Sequence, residues 1–329
     1  MMVSNRRNLV KKLSLLFSFT TISGCLNIFK KERDMNNSET QSDNFKKVIH
    51  HQKPFEQHWV GDGFYVHTMM QPHPNIYPMT SPFILMDYAP PRDFVSSKKQ
   101  KGVGEHPHRG FETVTFAYQG EITHRDSAGG GGTIGQGDVQ WMTAASGVVH
   151  EELHSKEFSA NGGVFEMVQL WVNLPKDKKM SQPRYQGIKD KDFPRFKLGE
   201  NCKGRLMAGD IENKKGPCLT HTPINVFDLT FESEETVDVA LPSKSNTVIF
   251  VLRGEVIIDQ KKYEKKNLMA FSREGEMIKI SGKEESKILV LNGEPIDEPI
   301  FAHGPFVMNT REEIIQAIND YQSGKMGHL

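Results

Sequence analysis

The sequence predicts an all-β protein: two antiparallel, jelly-roll-like β-barrels in tandem, followed by a short C-terminal helix. Three observations predict it. The 28 glycines and 17 prolines punctuate short β-branched and aromatic runs, the pattern of many strands joined by turns. A strand–Gly–strand arrangement occurs twice, at Gln119-Gly120-Glu121 and at Arg253-Gly254-Glu255, which suggests a duplicated barrel. Near the end, Thr310-Arg311-Glu312-Glu313 forms a capping box ahead of Ile314, Ile315, Ile318 and Tyr321 at helical spacing, with Gly324 as a stop.

A length of 329 residues favours two domains. Lys+Arg and Asp+Glu balance at 41 each, so no global field exists to hold nucleic acid, and no nucleic-acid partner is expected. Three cysteines, Cys25, Cys202 and Cys218, make neither a disulfide framework nor a cysteine-based zinc cluster. Cys202 and Cys218 either bridge a local loop in an oxidising compartment or remain two free thiols.

Residues 1–25 have the order of an export signal: Arg6, Arg7, Lys11 and Lys12, then an apolar stretch from Leu13 to Ile22 too short to span a bilayer. Ile22-Ser23-Gly24-Cys25 resembles the lipobox of bacterial lipoproteins, which implies cleavage before Cys25, lipidation of that residue and attachment to a membrane of the cell envelope. Asn5 to Lys11 also resembles a twin-arginine signal. Residues 26–47 are polar and charged and are expected to form a disordered tether. The first barrel is then expected over 48–180 and the second, with the helix, over 181–329. The charged, proline-punctuated stretch from Pro175 to Pro194 serves as the connection.

Strand signals are dense from Val103 onward: Thr113–Tyr118, Ile122–Arg125, Val139–Thr143 and Val164–Val172 in the first half. In the second half they are Val226–Phe231, Thr247–Leu252, Glu255–Asp259, Leu268–Phe271, Met277–Ser281 and Ser286–Asn292. Four consecutive glycines, Gly129 to Gly132, require a loop.

The chemistry concentrates between Gly102 and His154. His106 and His108, at i and i+2 on an extended segment, point to one face. About forty residues on, His150-Glu151-Glu152 offers a third imidazole and a carboxylate. Three imidazoles and one carboxylate, converging across a meander, suit a mononuclear non-haem site with open positions. Glu112, Glu151 and Glu152 are the candidate carboxylates; i, i+2 parity with His150 favours Glu152. Iron(II) is the expected metal, while manganese, nickel, cobalt and copper accept the same ligands. The remaining histidines, His124 among them, read as surface or satisfied core residues, Asp126 and Glu121 as solvated, and Trp141 and Phe111 as core. The second half has no His-x-His pair and is expected to hold no metal.

The blocks His106-Pro107-His108-Arg109-Gly110-Phe111-Glu112-Thr113, Gly137 to Ala144, Gly147-Val148-Val149-His150, Gln169 to Pro175 and Gly304 to Thr310 closely resemble the pirin family of the cupin superfamily. The resemblance covers roughly residues 60 to 325. It implies a bicupin of two packed barrels with iron in the first, held by His106, His108, His150 and Glu152. Glu112 becomes a supporting residue or backbone anchor. In place of the usual Pro and Asn of the second cupin motif stand Ala145 and His154. Several bacterial pirins act as quercetin 2,3-dioxygenases, so the resemblance implies a flavonol-type aromatic substrate and O2, with Glu152 as the base. Its alternative is a non-enzymatic, metal-dependent redox-sensing or interaction protein of the envelope.

Overall fold

A computed structural model describes residues 44–329. The expected signal, most of the expected tether and Cys25 lie outside the described residues.

Each half contains a seven-stranded and a four-stranded antiparallel sheet. In the first half the large sheet runs, in spatial order, Arg184–Ile188, Val139–Thr143, Phe111–Gln119, Gly163–Asn173, Phe83–Phe94, Phe64–Met70 and His58–Val60. The small sheet is Gly102–His108, Val148–His154, Ile122–Asp126 and Gly131–Ile134. The second half repeats the scheme with Asn246–Arg253, Lys287–Gly293 and Ile224–Phe231 at the centre of its large sheet. The expected duplication is therefore present in the topology. Both predicted turn glycines adopt a positive φ, 81° at Gly120 and 67° at Gly254, a backbone state that disfavours a β-carbon.

The two large sheets share one core. Val114, Phe116, Trp141 and Leu170 of the first half pack in one buried cluster with Val226, Val248, Phe250 and Leu291 of the second. Strand alternation explains how: in Ile224–Phe231, Val226 faces this seam while Phe227, Leu229 and Phe231 face the second barrel's interior. Strands buried on both faces read as continuous apolar runs. Arg205 ties the seam, donating to Asp228 at 2.6 Å, to Asp190 at 2.7 Å and to the carbonyl of Gly137.

Three segments do not keep to the expected halves. Val48–Gln52 pairs with Leu268–Phe271 in the second half's large sheet. The packed chain also begins before Lys47, since Phe45 bridges Met277 and the buried Lys46 ammonium donates to the carbonyls of Ser245 and Arg273. Arg184–Ile188, within the stretch read as a connection, pairs with Val139–Thr143 of the first half. Finally, the C-terminal helix packs on the first half, where Ile314, Ala317 and Met326 cluster with Val149. Its capping box forms as expected, with Glu313 N–H donating to Thr310 Oγ1 at 3.2 Å and Thr310 N–H to Glu313 Oε2 at 3.0 Å. Its buried face is Ile314, Ala317 and Asp320, whereas Ile315 and Tyr321 are exposed, because the docking surface extends beyond the apolar stripe to Arg109.

Cys202 and Cys218 are both free, one in the second barrel's interior and one in the seam. Burial pushes each thiol up to about 12, which makes both poor nucleophiles.

The Arg109–Asp320 ion pair, 2.9 Å long and almost wholly buried, anchors the helix beside His108. Bonds from Lys325 and then Arg109 hold the Asp320 carboxyl well below its usual range. Asp320→Ala leaves the guanidinium buried and unpaired, and should lower stability by about 3 kcal/mol. Thermal unfolding followed by circular dichroism checks this; an unchanged midpoint contradicts the anchoring role.

Candidate metal centre

His106 and His150 face each other directly across the Gly102–His108 and Val148–His154 strands, in antiparallel register. His108 follows two residues along the same face. The three ring centroids lie 4.2 to 4.8 Å apart, and one potential ligand atom from each ring falls within 4.8 Å of the others. Among the described residues, this is the group of His, Cys and carboxylate side chains placed to hold a metal ion.

Each imidazole has its Nδ1 occupied on the outer side. His106 Nδ1 lies 2.7 Å from the carbonyl of Gly104, and His108 Nδ1 lies 3.2 Å from that of Pro305. Carbonyls only accept, so these Nδ1 atoms carry the proton and Nε2 is left free as a ligand. His150 Nδ1 meets the ring of His124 at 3.2 Å, and its Nε2 is buried without a hydrogen-bond partner. A buried polar atom with no partner is costly, and one aimed with two other free Nε2 atoms fits a cation. Burial, then neighbouring imidazoles, lowers the pKa of His150 and His108 far below the ordinary value, which keeps both rings neutral, the form that ligates. Phe111 and Trp171 pack their rings on His108 at 5.0 and 5.3 Å and fix its orientation.

Glu152 shares the face of His150, as parity requires, and lines the same pocket as His106 and His108. Its carboxylate is held by side chains rather than gathered with the imidazoles. Oε1 accepts from Thr115 Oγ1 at 3.0 Å and from Gln140, and Oε2 accepts only a long 3.4 Å bond from Gln169.

Glu112 is elsewhere. Gly110, at φ 88°, turns the chain between His108 and Phe111, so parity cannot be carried from one strand to the next. In Phe111–Gln119, Thr115 faces the pocket, while Glu112, Val114 and Phe116 face the seam, where Thr143 Oγ1 donates to Glu112 at 2.6 Å. Glu112 supports no ligand. Trp141 likewise belongs to the seam. Asp126 and His124, read as solvated and as ordinary, are both buried and lie behind His150. The departing His154 fills an aromatic niche of Phe94, Phe158 and Phe165, with Nε2 3.1 Å from the carbonyl of Gly63.

The pocket beside the imidazoles has a volume of about 230 Å³. Val60, Phe64, Val66, Val103 and Met167 give it apolar walls, and Asp87 adds a second carboxyl. Burial raises the Asp87 pKa against the opposing bond from Thr68 Oγ1. Sequence reading missed Asp87, although a lone acid inside the apolar run Phe83 to Ala89 was a usable signal. A larger cleft of about 1040 Å³ opens at the seam among Arg195, Lys203, Arg205 and Lys287, but none of the three imidazoles reaches it. Size alone therefore does not locate the chemistry here.

Two jelly-roll halves, with three converging imidazoles in the first, define a metal-binding double-barrel protein of the cupin kind. Within that class the chain belongs to the pirin family. Residues 63–172 match the Pirin model and residues 226–327 the model described as the Pirin C-terminal cupin domain. A Pseudomonas aeruginosa protein named "putative quercetin 2,3-dioxygenase" is 46% identical over 281 residues, covering 85% of this chain and 98% of its own. A pirin-like protein of Solanum lycopersicum is 37% identical, over 75% and 82% of the two chains. A crystal structure titled quercetin 2,3-dioxygenase from Acinetobacter baumannii is 48% identical with a TM-score of 0.83, covering 86% of this chain and 99% of that one.

Burial raises the Glu112 pKa from 4.5 to about 7, with the bond from Thr143 opposing. Between those pH values the folded chain keeps a proton that the unfolded chain releases, so this group's contribution to stability falls as pH rises from about 4.5 to 7. Glu112→Gln should therefore match the parent near pH 4.5, be more stable by about 1–3 kcal/mol at pH 8, and bind metal equally well. Denaturant titrations at the two pH values, with metal analysis, check all three.

Proposed function

We propose that this protein is a metal-dependent dioxygenase that opens the central ring of quercetin-type flavonols with O2. The observation that carries the reading is the buried, unpartnered Nε2 of His150, converging with two further imidazoles at the wall of an apolar pocket. The names of the Pseudomonas and Acinetobacter relatives support the substrate class. His106, His108 and His150 would hold the ion, with Glu152 within the same pocket as the proposed fourth ligand and base. Iron(II) is the proposed metal; when bound it acidifies a ligated hydroxyl and brings O2 and an electron-rich substrate together.

The chain's own groups do the rest. Thr115 and Gln140 occupy Glu152 Oε1, so Oε2, with its single long bond, is the oxygen free to take the flavonol hydroxyl proton. Asp87, across the pocket, can accept a hydrogen bond from a substrate hydroxyl. Phe64, Val66 and Met167 exclude water and offer flat apolar surface to an aromatic ring. That cavity favours turnover over a purely sensing role, which needs no space beside the ion.

Purified protein loaded with iron(II) should consume O2 in the presence of quercetin and release CO. His106→Ala should lose both metal and activity. Glu152→Gln should lower kcat by roughly 10²–10⁴-fold, the usual worth of a general base. Loaded parent protein that consumes no O2 with quercetin or related catechols refutes the reading.

We also propose that the chain is exported and lipid-anchored through Cys25, on the strength of the Leu13–Cys25 pattern alone. Cys25→Ser should move the protein from the membrane to the soluble fraction of its host; an unchanged distribution refutes the anchor.

A further inference from the structure

His124 and Asp126 lie outside every ligand motif, yet both are buried directly behind His150, His124 at 1% exposure. His124 Nε2 is 3.1 Å from Asp126 Oδ2, and His124 Nδ1 is 3.2 Å from His150 Nδ1. The ring of Tyr185 stacks on His124 at 4.8 Å and 14°, which fixes the plane in which these contacts are made.

The proton positions follow from what each atom can do. Asp126 Oδ1 accepts the backbone N–H groups of Ala128 and Gly130, both at 2.9 Å. Two donors at one oxygen favour the ionised form, so Oδ2 can only accept, and the proton in its contact with His124 sits on Nε2. In the singly protonated ring that proton is the only one, so His124 Nδ1 is the acceptor. The facing atom, His150 Nδ1, must then donate. His150 Nε2 is consequently bare, and it is the atom left without a partner at the metal centre.

The geometry points to Asp126 and His124 as positioning residues: a carboxylate–imidazole–imidazole relay that sets the tautomer of His150 and so makes its Nε2 a metal ligand. The inference rests on the three imidazoles being a metal centre. It goes further in assigning control of the third ligand to a carboxylate two rings away. The other two ligands are set differently, each by a backbone carbonyl that cannot be changed by a side-chain substitution. Of the three imidazoles, His150 alone depends on side chains, so its tautomer can be inverted without touching a ligand.

Asp126→Asn does so. The amide oxygen takes the place of Oδ1 and keeps the bonds from Ala128 and Gly130; the opposite flip would set the NH2 against those two donors. The NH2 group must therefore face His124 Nε2 and donate to it. His124 then carries its proton on Nδ1, His150 Nδ1 becomes the acceptor, and the His150 proton moves to Nε2, where it blocks the ligand position. His124→Phe, which keeps a ring against Tyr185, removes the relay without inverting it.

Nitrogen-15 NMR of the metal-free protein reads the His150 tautomer directly. The expected result is a proton on Nδ1 in the parent and on Nε2 in Asp126→Asn. Zinc(II), a redox-silent probe, titrated against a chelator should bind Asp126→Asn roughly 10–100-fold more weakly, with His124→Phe between the two. Unchanged fold in both variants is verified by circular dichroism. A His150 proton on Nε2 in the parent, an unchanged tautomer in Asp126→Asn, or equal zinc affinity overturns the relay. A parent that shows the expected tautomers but binds no zinc overturns the metal-centre reading instead, and with it the relay's purpose.

Discussion

The burial of both faces of one strand, Phe111–Gln119, is the constraint from which the rest of the molecule can be derived. Val114, Phe116 and Tyr118 belong to the seam between the barrels, and Thr115 to the metal-side pocket. Alternation with a period of two makes these choices mutually dependent, because a one-residue slip would put Thr113 and Thr115 in an apolar seam and Phe116 in the place from which Thr115 reaches Glu152. The turn at Gly110 sets that register. A β-carbon there would stand 2.0 Å from the carbonyl of Val307, so the glycine also lets the C-terminal segment approach.

The same sheet scheme is filled in opposite ways in the two halves. Inside the second barrel, Phe227, Leu229, Ile249, Val251, Val256 and Ile280 pack as a continuous hydrocarbon core. The first barrel instead carries Thr115, Gln140, Glu152 and Gln169 in a connected set of hydrogen bonds. Buried polar groups are tolerated only when satisfied. His150 Nε2 and Gln140 Oε1 are left without a hydrogen-bond partner in the chain, and the first of these belongs to the three converging imidazoles. The polar, chemistry-bearing side chains are thus gathered inside the first barrel.

Chain ends cross between the halves. The N-terminal strand Val48–Gln52 completes the second barrel's large sheet, and the C-terminal segment closes the first barrel, where Pro305 orients His108 and Asp320 pairs with Arg109. The C-terminal helix is thereby tied beside His108, and the candidate metal centre depends on the C-terminal end of the folded chain as well as on the first barrel's own strands.

Local features were legible in the sequence. Strands such as Val139–Thr143 and Leu268–Phe271 have the predicted limits, the capping box forms both bonds, and His106, His108 and His150 meet as their spacing requires. Each of these depends on alternation or on neighbours a few residues apart. Tertiary structure alone decided which half Val48–Gln52 and Arg184–Ile188 would join, because the partner of an edge strand is set by what it covers and not by its own pattern. It also decided that Glu112 faces away from the pocket, since parity is lost at a turn. Asp126 and His124 gained their place behind His150 through a pairing between strands some twenty-five residues apart, His150 opposite Asp126. Sequence thus determined the candidate ligands, whose chemistry is carried by residue type and spacing; folding determined the contacts that assign the protons on them, which no local pattern contains.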